Sequence, residues 1–304
     1  FRSMFPCASI TGAPKSRTMQ IIKELEETPR RLYTGAIGFL TPAGKMQFNV
    51  AIRTALIDKV NQVAEYSIGS GIVWDSVADE EFEECHTKAE ILTRSMPQFH
   101  LLESLLWTPE AGYFLLDLHL IRLQKSADYF AFSVDWMEIR SQLNSVIQGY
   151  TEPQKIRLCV SKQGEIQLEA ETVQSNAARP LRVKLAKAPV NSSNVFLYHK
   201  TTHRFVYEKA LQDWPECDDV LLWNERGELT ESCRANLVVE FDRQWYTPPV
   251  ECGLLAGTFR DYLLQQGKLE ERILRPEDLQ YCSQIFLVNS VRRMQAAIVL
   301  PDSF

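Results

Sequence analysis

Lys200 stands at the end of the apolar run 195–198, followed by Thr201-Thr202-His203-Arg204 and a helix-like segment. A lysine held off solvent loses its proton near neutral pH, and the free amine condenses with aldehydes. Glu231 lies in Leu229-Thr230-Glu231-Ser232-Cys233-Arg234-Ala235-Asn236-Leu237, at the turn between two strand-like runs. A carboxylate aimed at a pyridine nitrogen keeps that nitrogen protonated, which makes the ring an electron sink. Each residue alone has a plainer reading. A lysine between histidines is most often a surface cation, and a glutamate in a turn is most often solvated.

Together they are the two protein groups a pyridoxal phosphate enzyme needs most. Ala256-Gly257-Thr258-Phe259-Arg260-Asp261 is a glycine turn opening a helix, so the N–H groups of Thr258 and Phe259 can face a phosphate. Its plain reading is an ordinary helix cap. His119-Leu120-Ile121-Arg122-Leu123 offers an arginine, otherwise an exposed cation on an amphipathic helix, and Asn289-Ser290 offers a hydroxyl after a strand. In this order the motifs resemble the class IV (fold-type IV) pyridoxal phosphate aminotransferases and lyases, over most of residues 99–304. The Lys200-Thr201-Thr202-His203-Arg204 stretch is most similar to the aminodeoxychorismate lyases and their fused relatives. The resemblance implies that Lys200 bonds the cofactor and serves as catalytic base, that Glu231 faces its ring nitrogen, and that Arg122, Gly257, Thr258, Phe259 and Ser290 hold its phosphate. His199 and His203 read as structural, Cys233 as an inert buried thiol, and Arg204 as a residue that orients substrate or cofactor.

The first ninety-odd residues carry a second set. Ser9-Ile10-Thr11-Gly12-Ala13-Pro14-Lys15, Tyr33-Thr34-Gly35-Ala36-Ile37-Gly38, Asn49-Val50-Ala51-Ile52-Arg53-Thr54 and Gly69-Ser70-Gly71-Ile72-Val73 follow in order. They resemble the C-terminal part of the chorismate-utilising enzymes, most closely aminodeoxychorismate synthase component I. Arg53 can grip a carboxylate with two N–H groups, and the Gly69-Ser70-Gly71 turn lets backbone amides approach closely. Glu81, Glu84 and Lys88 share one helix face, and two carboxylates suit Mg²⁺; the plain reading is a solvated helix with a Glu84–Lys88 pair. The resemblance implies a chorismate site of Thr11, Tyr33, Arg53, Gly69, Gly71 and Lys88, with Glu81 and Glu84 on the metal. It also implies that the family's nucleophilic lysine and another metal ligand precede Phe1. The chain therefore reads as a fragment of a longer protein, holding a truncated part-domain that by itself makes no aminodeoxychorismate.

These groups need elements to position them. A helix is expected from Lys15 to about Glu27, strands over 33–40, 46–57 and 63–73 as antiparallel neighbours, and a helix over 79–96. Pro97 marks the boundary. Beyond it come a hairpin over 99–107 and 112–116, helices over 118–130 and 136–147, and a hairpin over 155–160 and 165–168. A polar link spans 171–180. A strand over 181–185, a helix over 206–212, hairpins over 220–230 and 237–247, a helix over 258–266 and a final strand over 283–288 complete the chain. The fold expected is α+β: a chorismate-binding part-domain at 1–96, then a D-amino acid aminotransferase-like domain at 99–304. Its small lobe covers about 99–180 and its large lobe 181–304, with pyridoxal phosphate between them.

Composition bounds the rest. A net charge of −6 over 304 residues, without a basic cluster, speaks against nucleic acid. No apolar run approaches the ~20 residues of a membrane span. The seven cysteines are scattered, which reads as reduced thiols in a cytoplasm. The resemblance and the joining of the two blocks imply elimination of pyruvate from 4-amino-4-deoxychorismate, giving 4-aminobenzoate for folate. The resemblance further implies a homodimer, and a full-length form that takes chorismate and works with a glutamine amidotransferase. Two other readings stay open: a class IV transaminase of branched-chain or D-amino acids, and a fragment without activity.

Overall fold

A computed structural model of the chain describes residues 4–93, 96–173 and 179–301 and divides into two units, Phe1–Met96 and Pro97–Phe304. In the first unit, helices α1 (Ala8–Thr11) and α2 (Lys15–Leu25) precede the strands β1 (Ala36–Leu40) and β2 (Met46–Val50), an antiparallel pair. Strands β3 (Ala55–Asp58) and β4 (Val63–Tyr66) form a second antiparallel pair, and α3 (Ala78–Thr93) follows. The single strand expected over 46–57 is therefore two. Arg53 takes the left-handed conformation, φ 50°, which an extended run cannot continue through. The expected three neighbouring strands become two separate hairpins.

Among the described residues of this unit only Thr34 and Ala51 are buried. Leu40, Ile57, Val73 and Trp74 stand exposed, Trp74 almost entirely at 98%. The strands have the apolar content of buried strands, but the unit assembles no core over them.

The second unit begins with β5 (Leu101–Thr108), β6 (Gly112–Tyr113), α4 (Leu116–Phe130), α5 (Trp136–Val146), β7 (Gln154–Val160) and β8 (Ile166–Thr172). Its strands form an antiparallel sheet ordered β6-β5-β7-β8. The 3.6-residue apolar repeat of α4 and α5 sets Leu123, Phe130, Ile139 and Leu143 against Leu105 and Ile156. Asp135 caps α5, accepting from the amides of Met137 and Glu138 at 3.0 and 3.1 Å, a contribution of about 1 kcal/mol. Strand β5 is buried on both faces, so its one carboxylate, Glu103, enters the interior.

The second lobe contains β9 (Leu181–Leu185), α6 (Phe205–Gln212), β10 (Asp219–Trp223), β11 (Leu229–Ser232), β12 (Asn236–Phe241), β13 (Gln244–Thr247), α7 (Thr258–Gln265), β14 (Glu270–Glu271), β15 (Gln284–Asn289) and β16 (Arg293–Val299). The sheet order is β11-β10-β9-β16-β15-β12-β13-β14, and β11 also pairs with β12, so six strands close into a ring. Period-two alternation explains its layers. Val183, Leu221, Leu229, Leu237, Leu287 and Ala297, one from each ring strand, share one cluster. The alternate residues face outward: Val220 and Leu222 pack under α6, and Val238 and Val288 under α7.

Strand β16 corrects the expectation that 283–288 is the last strand. It pairs antiparallel with β15 and parallel with β9. Its Arg-Met-Gln-Ala-Ala run has little intrinsic preference for a strand, and the central slot between two apolar neighbours imposes the conformation.

Candidate active site

Lys200 lies between a short 3-10 turn, Val195–Leu197, and α6. Its carbonyl accepts the Leu102 amide at 3.0 Å, which stitches the lysine of one lobe to the strand bearing Glu103 in the other. Burial, reinforced by the Arg122 guanidinium, lowers the Lys200 pKa to about 8. A fair share of the amine is thus unprotonated near neutral pH.

Glu231 is buried at the end of β11. Its Oε1 accepts the Tyr207 hydroxyl at 2.8 Å and the Leu255 amide at 3.2 Å, and its Oε2 accepts Asn236 Nδ2 at 3.2 Å. Burial raises its pKa to about 7, while the Tyr207 and Leu255 donors and the charges of Lys200 and Arg204 favour the anion. Burial and Glu231 push the Tyr207 phenol well above its ordinary range, so it stays a donor.

Arg122 is set by α4 and held by Glu103. Nε and Nη2 donate to the two carboxylate oxygens at 2.9 and 2.6 Å, and Nη1 donates to the Ala256 carbonyl at 3.1 Å. Burial alone would raise the Glu103 pKa; Arg122 and His119 overcome it and hold it at about 2. His119, fully buried, bridges Glu103 Oε2 at 2.7 Å and Thr258 Oγ1 at 3.2 Å. With Glu103 ionised, Nδ1 carries the proton and Nε2 accepts from the threonine. A chain of polar contacts thus runs from Arg122 to the first residue of α7.

Gly257 is the N-cap of α7, and no side chain caps the helix. The amides of Thr258 and Phe259 therefore keep unused donors, and Arg122 keeps N–H groups on both Nη atoms beside Ala256. Free donors from a guanidinium and a helix N-terminus converge there, the requirement of a phosphate. Ser290, in the turn from β15 to β16, donates its hydroxyl to the Ser104 carbonyl at 3.3 Å, next to Glu103. Lys200 lies within electrostatic reach of Arg122, Glu103, Arg204 and Glu231, and Arg122 reaches the Ala256 carbonyl just before Gly257. A lysine with a lowered pKa, a buried carboxylate and an anion-binding helix end fit pyridoxal phosphate.

Arg204 donates to the Cys233 carbonyl and lies over the Tyr207 ring at 4.5 Å. Burial pushes the Cys233 thiol well up, which keeps it protonated. His199 bonds Ser126 at 2.9 Å and packs on Tyr129 and Phe130; His203 packs on Phe196. Glu103, His119, Tyr207 and Asn236 have positions in the site that the sequence reading did not assign. The one available signal was the i, i+3 spacing of His119 and Arg122.

The first unit brings fewer of its expected residues together. Lys88 Nζ donates to the Gly69 carbonyl at 2.9 Å, and a Cβ on Gly69 would come within 2.7 Å of the Tyr33 hydroxyl. Thr11 and Tyr33 line an open cleft of about 610 Å³, whereas Arg53 is exposed and Gly71 meets open space. Glu84 pairs with Lys88 at 2.5 Å, the plain reading of that helix face, and Glu81 accepts the Ser76 hydroxyl at 2.5 Å. Among the described residues no three His, Cys, Asp or Glu could hold a metal ion.

A small antiparallel lobe, a ring-shaped lobe, and a lysine within electrostatic reach of a buried carboxylate define a fold-type IV pyridoxal phosphate enzyme. The chain belongs to the amino-transferase class IV family, which matches residues 100–297; residues 1–94 match the chorismate binding enzymes. The "Putative aminodeoxychorismate lyase" of Schizosaccharomyces pombe is 29% identical over 214 residues, 67% of this chain and 91% of that protein. A solved structure, "Putative amino-acid aminotransferase from Mesorhizobium loti", is 32% identical with a TM-score of 0.64, covering 66% of this chain and all of that one. Aminodeoxychorismate synthase component 1 of Bacillus subtilis is 46% identical over 94 residues, 31% of this chain and 20% of that protein. The chain thus spans about a fifth of that relative's length.

Proposed function

We propose that this chain binds pyridoxal phosphate through Lys200 and eliminates pyruvate from 4-amino-4-deoxychorismate, giving 4-aminobenzoate for folate synthesis. The observation that carries the reading is the pairing of a half-buried lysine, its pKa lowered to about 8, with a buried glutamate held by three donors. The bound cofactor would supply an electron sink for the carbon that bears the substrate amine. Lys200 Nζ would take the proton from that carbon as the general base. Glu231 would hold a proton at the ring nitrogen, and Arg122 and the α7 amides would hold the phosphate. Arg204, with N–H groups left beyond its Cys233 contact, is placed to orient a substrate carboxylate. Loss of that proton and of the enolpyruvyl oxygen bond leaves an aromatic ring, and the atoms balance as 4-aminobenzoate plus pyruvate without a co-substrate.

The chorismate-type first unit and the fission yeast relative favour this substrate. The Mesorhizobium loti relative favours a second reading, transamination of an amino acid by the same residues. In a longer protein, the first unit's segment would help make aminodeoxychorismate from chorismate and ammonia.

The test begins with an absorbance scan with added pyridoxal phosphate, before and after borohydride. A visible-edge band that borohydride fixes to the chain, absent in Lys200→Ala, is expected. Pyruvate and 4-aminobenzoate released together from aminodeoxychorismate support the lyase. A 2-oxo acid formed from an amino acid, without pyruvate release, would replace it with the transaminase.

A further inference from the structure

Asn236 joins parts of the site that the mechanism treats separately. Its side chain is buried, and both hydrogens of Nδ2 are used: one on Glu231 Oε2 at 3.2 Å, the other on the Leu255 carbonyl at 2.8 Å. The Leu255 amide returns to Glu231 Oε1 at 3.2 Å. Glu231, Asn236 and the Leu255 backbone therefore form a closed circuit of hydrogen bonds. Two residues after Leu255 comes Gly257, the cap of α7.

Gly257 explains itself through the same asparagine. Its φ of −71° and ψ of 135° are open to any residue, so backbone freedom is not why glycine stands there. A Cβ at this position would overlap Asn236 Oδ1. The amide of Asn236 thus bonds the carboxylate with its nitrogen and packs on the helix cap with its oxygen. Strands β11 and β12 also meet at one couple, Glu231 opposite Asn236.

We propose that Asn236 is a positioning residue that locks Glu231 to the start of α7, so that the ring-nitrogen end and the phosphate end of the site are set as one unit. The inference rests on the cofactor reading above and can fail without it. Asn236 bears no charge for a phosphate and needs none, because it acts by fixing where the helix amides lie relative to the carboxylate.

The experiment uses the full chain stripped of cofactor, with inorganic phosphate as the probe. Calorimetry reads phosphate affinity, and the infrared carboxylate band, with Glu231→Gln as blank, reads the pH at which Glu231 takes its proton. Asn236→Ala is expected to weaken phosphate binding roughly tenfold, within the span of coupling between neighbouring groups, and to move the Glu231 midpoint upward. Gly257→Ala, which deletes no hydrogen-bonding group, is expected to do both as well, and it serves where Asn236→Ala fails to fold. The double variant is expected to be no worse than Asn236→Ala, since the new methyl then has no amide to strike. A shifted Glu231 band with unchanged phosphate affinity would overturn the inference, as would additive losses in the double variant; both leave the cofactor reading intact. Failure of the unaltered chain to bind phosphate and pyridoxal phosphate would overturn both.

Discussion

Burial moves Lys200 down to about 8 and Glu231 up to about 7, so the two groups converge on the neutral range from opposite sides. Lys200 condenses with an aldehyde only as the free amine, and Glu231 pairs with a protonated ring nitrogen only as the anion, so both reactive forms gain as pH rises. Uptake of pyridoxal phosphate by the cofactor-free chain is therefore expected to quicken between about pH 6 and 8, followed by absorbance in one buffer series at constant ionic strength. Glu103 has the opposite sign of shift to Glu231. Its pKa is depressed from 4.5 to about 2, so its stabilisation is present above 4.5 and is lost as pH falls through 2. For this nearly inaccessible pair the shift amounts to about 3 kcal/mol. Glu103→Gln is expected to lower Tm at pH 7 and to bring it closer to the unaltered chain near pH 2, followed by circular dichroism. Much of this chemistry is carried by residue type: a lysine, a glutamate and an arginine in the right order. Glu103 and Asn236 were not legible, because a glutamate in a strand and an asparagine after a turn read as solvated until their partners are known.

The helices were legible where their apolar period was strong. Helix α4 was expected over 118–130 and spans Leu116–Phe130; α7 was expected over 258–266 and spans Thr258–Gln265. The strand over 181–185 has the bounds expected. What escaped the pattern has physical causes: the first five residues of β16 have little preference for a strand, and the break at 51–54 depends on one left-handed residue. Helix α4 also transmits packing to the site. Leu123 follows Arg122 directly and is 1% exposed in the core beneath it. Leu123→Ala is expected to cost about 2–5 kcal/mol in a urea titration. Because α4 would settle into the cavity, affinity for pyridoxal phosphate is expected to fall as well. Unchanged affinity in the folded variant would mean that Glu103, rather than the helix, sets the guanidinium.

The two units differ in how far their surfaces are satisfied. The second has apolar clusters inside its ring, under α6, under α7 and in the first lobe. The first exposes Leu40, Ile57, Val73 and Trp74, surface of the sort that binds apolar dyes. A chain beginning at Pro97 is expected to keep the borohydride-fixed band and to lose most of the fluorescence of an added naphthalene sulfonate dye. If the band vanishes with the first unit in folded protein, the site needs residues from it. The strand motifs of this first unit were readable and its lack of a core was not, since periodicity reports a face to be covered without saying what covers it.

The six-stranded ring is fastened unevenly. Five of its joints are ladders of several residues or paired runs with a shift, while β11 and β12 meet at Glu231 and Asn236 alone. A belt slackens at its buckle, and here the buckle carries the carboxylate. A ligand gripped by Glu231 on one side and by α7 on the other draws that joint tight. Cofactor loading is thus expected to slow amide deuterium exchange along 229–241 more than along β9 or β16, making the ring's own breathing a gauge of occupancy.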